Sequence, residues 1–285
     1  MEWLERLNDA MEYVEENLTG EITLEGAARR AACSSYHFQR MFPYITGMTF
    51  SEYVRRRRMT AAAMELTGGD AKIIDVAARY GYESPTAFNR AFQSVHGLPP
   101  KAARTQGTQL KAYPRIAFTL SIRGERAMEY RIEERAAFHV VGFGTRGPMT
   151  MEDCFTKVPQ FWAEHGQDIP RLCRLMDGAE PQGVLGVSAC DGGEFSGYYI
   201  AVAANRPAPE GMDEYTVPAG TWAVFPCVGP LPGAMQALQK RVVSEWLPSS
   251  GYEYAAAPDI EVYLPGDQSA PDYRSEVWLP VVKAK

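Results

Sequence analysis

Two different periodicities divide the chain. Up to about residue 105 the apolar positions recur every three or four residues, the spacing of amphipathic helices. Trp3, Leu4, Leu7, Met11, Val14 and Leu18 line one face of a first helix, which Gly20 ends. Thr23 is placed to cap a short helix through Leu24, Ala27 and Ala28. Ser34 or Ser35 caps the next, from Tyr36 to about Tyr44, and Gly47 stops it. A longer helix runs from about Ser51 to Leu66 and ends at Gly68-Gly69. Ile73 to Tyr80 forms another short helix, broken by Gly81. Ser84, with Pro85 in the first turn, starts a last helix through Phe88 and Phe92, and Gly97 with Pro99-Pro100 closes the region.

From Met128 the pattern changes to short runs of period two. Strands are predicted at 128–133, 138–144, 183–189, 197–203, 213–217, 220–227, 259–264 and 274–282, with helices at about 151–165 and 233–247. The half also repeats itself: VVGFGTRGP leads to a helix ending near Trp162, and AVFPCVGP to one ending near Trp246. The predicted fold is therefore an all-α part with two helix-turn-helix units joined by a long helix, then an α+β part built as a duplicated β-α-β-β unit with two helices on one sheet. The expected division is 1–106, a linker at 107–127 with some extended character (Ile116, Phe118, Leu120, Ile122), and 128–285.

Charge sharpens this division. The net charge of −6 is unevenly spread. Residues 1–25 hold eight acids and one base, residues 26–108 five acids and twelve bases, and residues 109–285 twenty-two acids and sixteen bases. A basic footprint suited to nucleic acid is thus confined to the second helical stretch. No apolar run approaches the ~20 residues of a membrane helix, and the acidic, amphipathic start does not read as a signal peptide. Cysteines 33, 154, 173, 190 and 227 form no C-x-x-C pair, so they are expected as partly buried core thiols in a reducing cytoplasm, with neither zinc nor disulfides. No metal, cofactor or membrane partner is expected.

Two segments inside the basic region share one design: ITLEGAARRAACSSYHFQRMFPYITG and AKIIDVAARYGYESPTAFNRAFQSVHG. Each has a short Ala-rich helix, a tight turn and a second helix. In a helix-turn-helix the second helix offers its outward side chains to the major groove. Tyr36, Gln39 and Arg40 share one face by their i, i+3, i+4 spacing, and Thr86, Asn89 and Arg90 repeat it. Arg can pair with guanine, and Gln or Asn with adenine, in bidentate fashion. Phe38, Met41, Phe42, Phe88 and Phe92 are assigned to the core, and His37 and His96 to the polar surface. The run Arg55–Arg58 wraps around its helix, so one or two phosphate contacts are expected from it, with the rest in ion pairs or water. The motifs YHFQRMF, RRRRMTAAAMEL and IIDVAARYGYESPTAFNRAFQSVHGLPPKAAR resemble the DNA-binding domain of the AraC/XylS transcription activators. That resemblance implies two recognition helices carried by the long linker helix, binding double-stranded promoter DNA and working with RNA polymerase. It places base contacts at Tyr36, Gln39, Arg40, Thr86, Asn89 and Arg90. Pro85 and Ala87 stand where some relatives carry polar side chains.

In the second half, MEYRIEERAAFHVVGF, DIEVYLPGD and DYRSEVWLPVV resemble a GyrI-like effector-binding domain, giving a Rob-like domain order. The resemblance implies a ligand cleft between the two halves with an acid from a late strand among aromatics. Glu261 is the matching acid, Glu276 the second candidate, and Tyr273 lies where it can line the cleft. From the residues alone, an acid flanked by apolar strand positions either faces solvent or is buried with a cation or a hydrogen bond. Walls of Tyr and Trp suit a lipophilic cation. Trp162, Trp222, Tyr198, Tyr199 and Trp278 are the aromatic candidates. The sequence Gly142-Phe-Gly-Thr-Arg-Gly147 matches G-x-G-x-x-G, but Pro148 follows, and the acid expected about 20 residues on would fall at a helix end, so no nucleotide site is read there. No Ser/His/Asp arrangement occurs, and His139 and His165 lack motif context. The reading is a non-enzymatic, cytoplasmic regulator, an activator by resemblance, that senses a small hydrophobic or cationic molecule. The alternatives are a hydrolase using Glu261 on water, or a protein-interaction module.

Overall fold

The computed structural model describes residues 2–68, 70–119, 127–145, 151–191 and 194–284. Gly69, the linker residues 120–126 and Arg146 to Pro148 of the glycine motif lie outside the described residues. The chain divides into two compact units, Met1–Arg123 and Gly124–Lys285.

The first unit is helical: α1 (Glu2–Glu16), α2 (Leu24–Arg30), α3 (Ser35–Thr46), α4 (Phe50–Gly68), α5 (Ile73–Arg79) and α6 (Pro85–His96), followed by a 3-10 turn at Ala102–Arg104. Local chemistry fixes the boundaries. The side chains of Thr23, Ser34 and Ser84 accept from the backbone N–H of Gly26, His37 and Ala87, the donors a helix start leaves unsatisfied. Gly47 and Gly97 end α3 and α6 at φ of 74° and 78°, which a residue without Cβ adopts at no steric cost. Phe38, Phe42, Phe50 and Tyr53 form one aromatic core, with edge-on contacts of Phe50 to Phe38 and Phe42 at 5.3 and 5.7 Å. Met59, Leu66, Val76, Phe88 and Phe92 belong to a second. Helix α4 supplies residues to both.

Charged groups on α4 complete its packing. Arg57 binds Glu15 of α1 through two nitrogens, at 2.8 and 2.6 Å, and also donates to the Tyr113 carbonyl. Arg58 donates to the carbonyls of Leu18 and Gly20, at 3.1 and 2.7 Å. Arg55 and Arg56 both pair with Glu52, and Arg56 lies 4.8 Å over the Tyr113 ring. All four arginines of the run have partners within the unit, as expected for those in ion pairs, and Arg55 keeps 46% of its side chain exposed. They are distributed around the helix, and each meets a different neighbour. His37 and His96 are corrected: both are buried, and His96 Nε2 lies 3.0 Å from the Met59 carbonyl with its ring 4.3 Å from Phe92.

Past the 3-10 turn, the expected linker is held down as far as Phe118. Tyr113 N–H donates to Thr60 Oγ1 at 3.1 Å, and Ile116 N–H to the Tyr53 hydroxyl at 3.3 Å. Asn8 grips Phe118 twice, donating to its carbonyl at 3.0 Å and accepting from its N–H at 2.8 Å. The Tyr53 hydroxyl in turn donates to Glu15 at 3.2 Å, and its pKa is pushed up to about 12, mainly by burial.

The second unit is an antiparallel sheet with helices. Its elements are β1 (Arg131–Arg135), β2 (Phe138–Gly144), α7 (Met151–His165), α8 (Ile169–Cys173), β3 (Val184–Asp191), β4 (Glu194–Ala203), β5 (Asp213–Val217), β6 (Gly220–Val228), α9 (Gly233–Arg241), β7 (Tyr252–Tyr254), β8 (Asp259–Tyr263) and β9 (Arg274–Lys283). The strand order is β1-β6-β9-β8-β3-β4-β2-β5, with β7 on the end of β9. Read inward from either edge, the order gives a short strand, a strand leading into a helix, and the two strands after that helix. Each short strand pairs across the unit: β1 precedes β2 but pairs with β6, and β5 precedes β6 but pairs with β2. Helix α8 and strand β7 were not legible as elements, since each is too short to show a period. The helix expected at 233–247 changes to a π-helical turn at Val242–Trp246. Cys190 and Cys227 are buried, as expected of core thiols, whereas Cys173 is exposed.

Gly142 belongs to this sheet. A Cβ there would stand 2.1 Å from the Ile200 carbonyl oxygen and 2.5 Å from Ala201 Cα, both backbone atoms of β4. Close strand approach thus explains the first glycine of the nucleotide-like motif. Gly142→Ala is expected to destabilise the second unit by at least about 2 kcal/mol, through backbone strain and overpacking. Urea unfolding of the full chain, followed by tryptophan fluorescence, checks this. An unchanged midpoint would show that β2 and β4 can separate freely.

Candidate effector site and DNA interface

Strand pairing decides which side chains of the sheet can meet. Glu261 of β8 is directly opposite Gly186 of β3 and Val277 of β9, and Gly186 is opposite Ile200 of β4. By alternation, Tyr198 and Tyr263 share the face of Glu261. The Tyr263 hydroxyl donates to Glu261 Oε2 at 2.7 Å and the Tyr198 hydroxyl to the same oxygen at 3.4 Å. Gln239 of α9 donates its amide to Oε1 at 2.6 Å. Trp162 of α7 donates its indole N–H to the Tyr198 hydroxyl at 2.9 Å and meets the Tyr263 ring edge-on at 5.0 Å. Gly186 makes the room: a Cβ there would be 2.2 Å from the Tyr198 hydroxyl and 3.0 Å from Glu261 Oε2. Burial, and then the charge of Glu261, hold the Tyr263 hydroxyl well above its usual range, so it stays a donor.

Of the other expected ligand residues, Tyr273 falls on this face by its spacing to Ser275. It is buried and donates to the Leu264 carbonyl at 2.8 Å. Glu276, Trp278 and Tyr199 are corrected to the opposite face. The register pairs Val262 with Glu276 and Ile260 with Trp278, so these side chains alternate away from Glu261. Glu276 accepts there from the Trp278 indole at 2.8 Å and pairs with Arg131 at 2.9 Å. Tyr199 stacks on Tyr215 at 5.2 Å. Trp222 is also core, donating to the Pro258 carbonyl at 3.2 Å.

In the first unit, Thr86 and Arg90 of α6 are exposed and Asn89 is half-buried between them. Beneath them Phe88 and Phe92 are fully buried, so the helix turns one face inward and offers the other. Helix α3 differs. Gln39 is half-buried, whereas Tyr36 and Arg40 have relative exposures of only 3% and 6%. Thr86 and Arg90 of α6 are thus accessible and Tyr36 and Arg40 of α3 are not, while Gln39 and Asn89 are alike half-buried.

Comparison with known proteins fits both geometries. Residues 128–282 match the GyrI-like small molecule binding domain family, and residues 27–106 match a helix-turn-helix domain family. The multiple antibiotic resistance protein MarA of Escherichia coli K12 is 33% identical over 36% of this chain and 81% of MarA. The HTH-type transcriptional activator AarP of Providencia stuartii is 33% identical over 36% of this chain and 76% of AarP. The chain belongs to the AraC-type regulators and carries a GyrI-like domain. It is a DNA-binding transcription regulator with an effector-binding domain. Among solved structures, a bacterial transcription regulation protein from Staphylococcus aureus MU50 covers 54% of this chain and 99% of its own, at 25% identity and a TM-score of 0.49. SAV2435 bound to tetraphenylphosphonium covers 54% and 94%, at 23% identity and a TM-score of 0.48.

Within the GyrI-like unit, sequence reasoning passed over Tyr263 and Gln239. Tyr263 was detectable, because it lies two residues from Glu261 on one strand. Gln239 carried no signal, since its approach depends on how α9 packs. Within the AraC-type unit, burial lowers the His37 pKa from 6.5 to about 4. The unfolded chain then takes up a proton near pH 6.5 that the folded chain refuses, so this stability is present above pH 6.5 and is lost as pH falls towards 4. Going from pH 7 to pH 5 should remove about 2 kcal/mol, and His37→Gln should flatten that dependence. Denaturation midpoints at the two pH values decide it: equal losses in both proteins would acquit His37.

Proposed function

We propose that the GyrI-like unit binds a lipophilic cation at Glu261 and that the AraC-type unit reads promoter DNA to activate transcription. The observation that carries the first half is a carboxylate set among Tyr198, Tyr263 and Trp162, with hydrogen-bond donors but, among the described residues, no opposing charge paired with it. Neutral donors satisfy the lone pairs yet leave the negative charge in place. A guest cation would gain Coulombic pairing and contact with aromatic faces in a partly desolvated site. The match to a small molecule binding domain beside a helix-turn-helix domain favours sensing over turnover.

For DNA, we assign the base-reading roles to Thr86, Asn89 and Arg90 on α6 and, on α3, to Tyr36, Gln39 and Arg40. The activator sign follows AarP, and it implies contact with RNA polymerase and work in the cytoplasm. The effector unit is taken as 128–285 and the DNA-binding unit as 1–106.

Tetraphenylphosphonium should raise the thermal midpoint of the full chain by mass action, and Glu261→Gln should abolish the rise. A rise that survives Glu261→Gln would move the cation elsewhere. For the second half, Arg90→Ala should weaken binding to a duplex selected by the wild type from a random pool by about 1–3 kcal/mol, as read by fluorescence anisotropy. Unchanged affinity would take α6 out of base reading.

A further inference from the structure

The three donors to Glu261 are not equivalent. Tyr198 and Tyr263 come from strands whose positions the ladder fixes, at β4 and β8. Gln239 comes from a helix and holds the other carboxylate oxygen, Oε1, by itself among the described residues. Glu261, Gln239 and Tyr263 are half-buried and Tyr198 is buried, so the carboxylate is not sealed from solvent. Three residues after Gln239 the helix changes to a π-helical turn in which Val242, Val243 and Trp246 are buried. The end of the helix is anchored there, in the turn that follows the α-helical segment carrying Gln239.

We propose that Gln239 is a place-holder that sets the affinity and the charge selectivity of the site. Its amide occupies Oε1 until a guest cation displaces it. This rests on the reading of Glu261 as the partner of a cation. The amide suits the role because it is a donor without charge: it satisfies Oε1 while the site remains negative. A cation regains the lost interaction through its own charge. A neutral guest lacking donors would leave Oε1 unsatisfied, which disfavours it. A lysine at the same position would neutralise Glu261 permanently and close the site. Lys240, the next residue, is exposed, so a cationic side chain is one position away but turned to solvent.

The test is calorimetric titration of the full chain with tetraphenylphosphonium, which has no hydrogen-bond donors. Gln239→Ala removes the competitor and is expected to bind about tenfold tighter than wild type, the scale of one hydrogen bond to a charged group. Gln239→Lys is expected to bind none, with a thermal midpoint at or above that of wild type. Wild-type binding with Gln239→Ala unchanged or weaker, or with Gln239→Lys still binding, overturns the place-holder role and leaves the cation site standing. If no form of the chain binds the cation, both the role and the site fall together. Should Gln239→Ala fold poorly, Gln239→Met keeps the helix former, removes the amide and carries the same expectation.

Discussion

A carboxylate on the face of a β-sheet, beneath two helices, has to be answered by donors, and Glu261 is answered from three directions. Tyr263 reaches it from its own strand, Tyr198 from β4 and Gln239 from α9. Trp162 adds α7 through the Tyr198 hydroxyl. Both long helices of the unit are thereby tied, directly or through one hydroxyl, to a single negative group. The tie depends on a void as much as on contacts, since any side chain at Gly186 would displace the Tyr198 hydroxyl. Burial cost alone would disfavour such a carboxylate. Hydrogen bonds from neutral donors offset that cost without cancelling the charge, and this combination makes the group available to a cation.

Much of this was legible in the sequence, and what was not has a common cause. The caps at Thr23, Ser34 and Ser84 and the stops at Gly47 and Gly97 are local, so reading neighbours sufficed to place five helix boundaries. Strands were equally readable, because alternation is a property of one strand. The phase between strands is not. Glu261 and Glu276 each sit among apolar neighbours, and nothing in either segment tells which face the other will take. Only the pairing of Val262 with Glu276 puts them on opposite sides. Tyr198 and Tyr199 pose the same problem in adjacent residues: both were candidates, and only the register shows that the first carries the hydroxyl that touches the acid. Gln239 stands 22 residues from Glu261 along the chain, with no motif to link them.

The helical unit shows the same limit in a different form. Periodicity identifies a face but not its depth. Tyr36, Gln39 and Arg40 lie on one side of α3 as expected, yet Tyr36 and Arg40 are buried while Thr86 and Arg90 of α6 are exposed. The arginine run was read correctly as wrapping its helix. Its consequence was larger than expected: each guanidinium found a carboxylate, a carbonyl or a ring within the unit. A basic count in the sequence therefore overstates the charge left for phosphate, because part of it is spent on internal structure.

The attachment of the chain beyond the helices bears on how an effector could reach the DNA. Coupling between two sites is a difference in affinity between two states, so something in the first unit must differ when the second is occupied. The last described residue gripped by the helical unit is Phe118, and its two backbone groups are held by Asn8 of α1. Farther back, Tyr113 and Ile116 are held by Thr60 and Tyr53 of α4. Tyr53 also binds Glu15, which in turn holds Arg57. The polypeptide leaving the DNA-binding unit is thus fastened to the polar groups that join α1 to α4, the helix that contributes to both aromatic cores. Phe118 is thereby tied to α1, and Tyr113 and Ile116 to α4, by hydrogen bonds rather than by apolar packing alone.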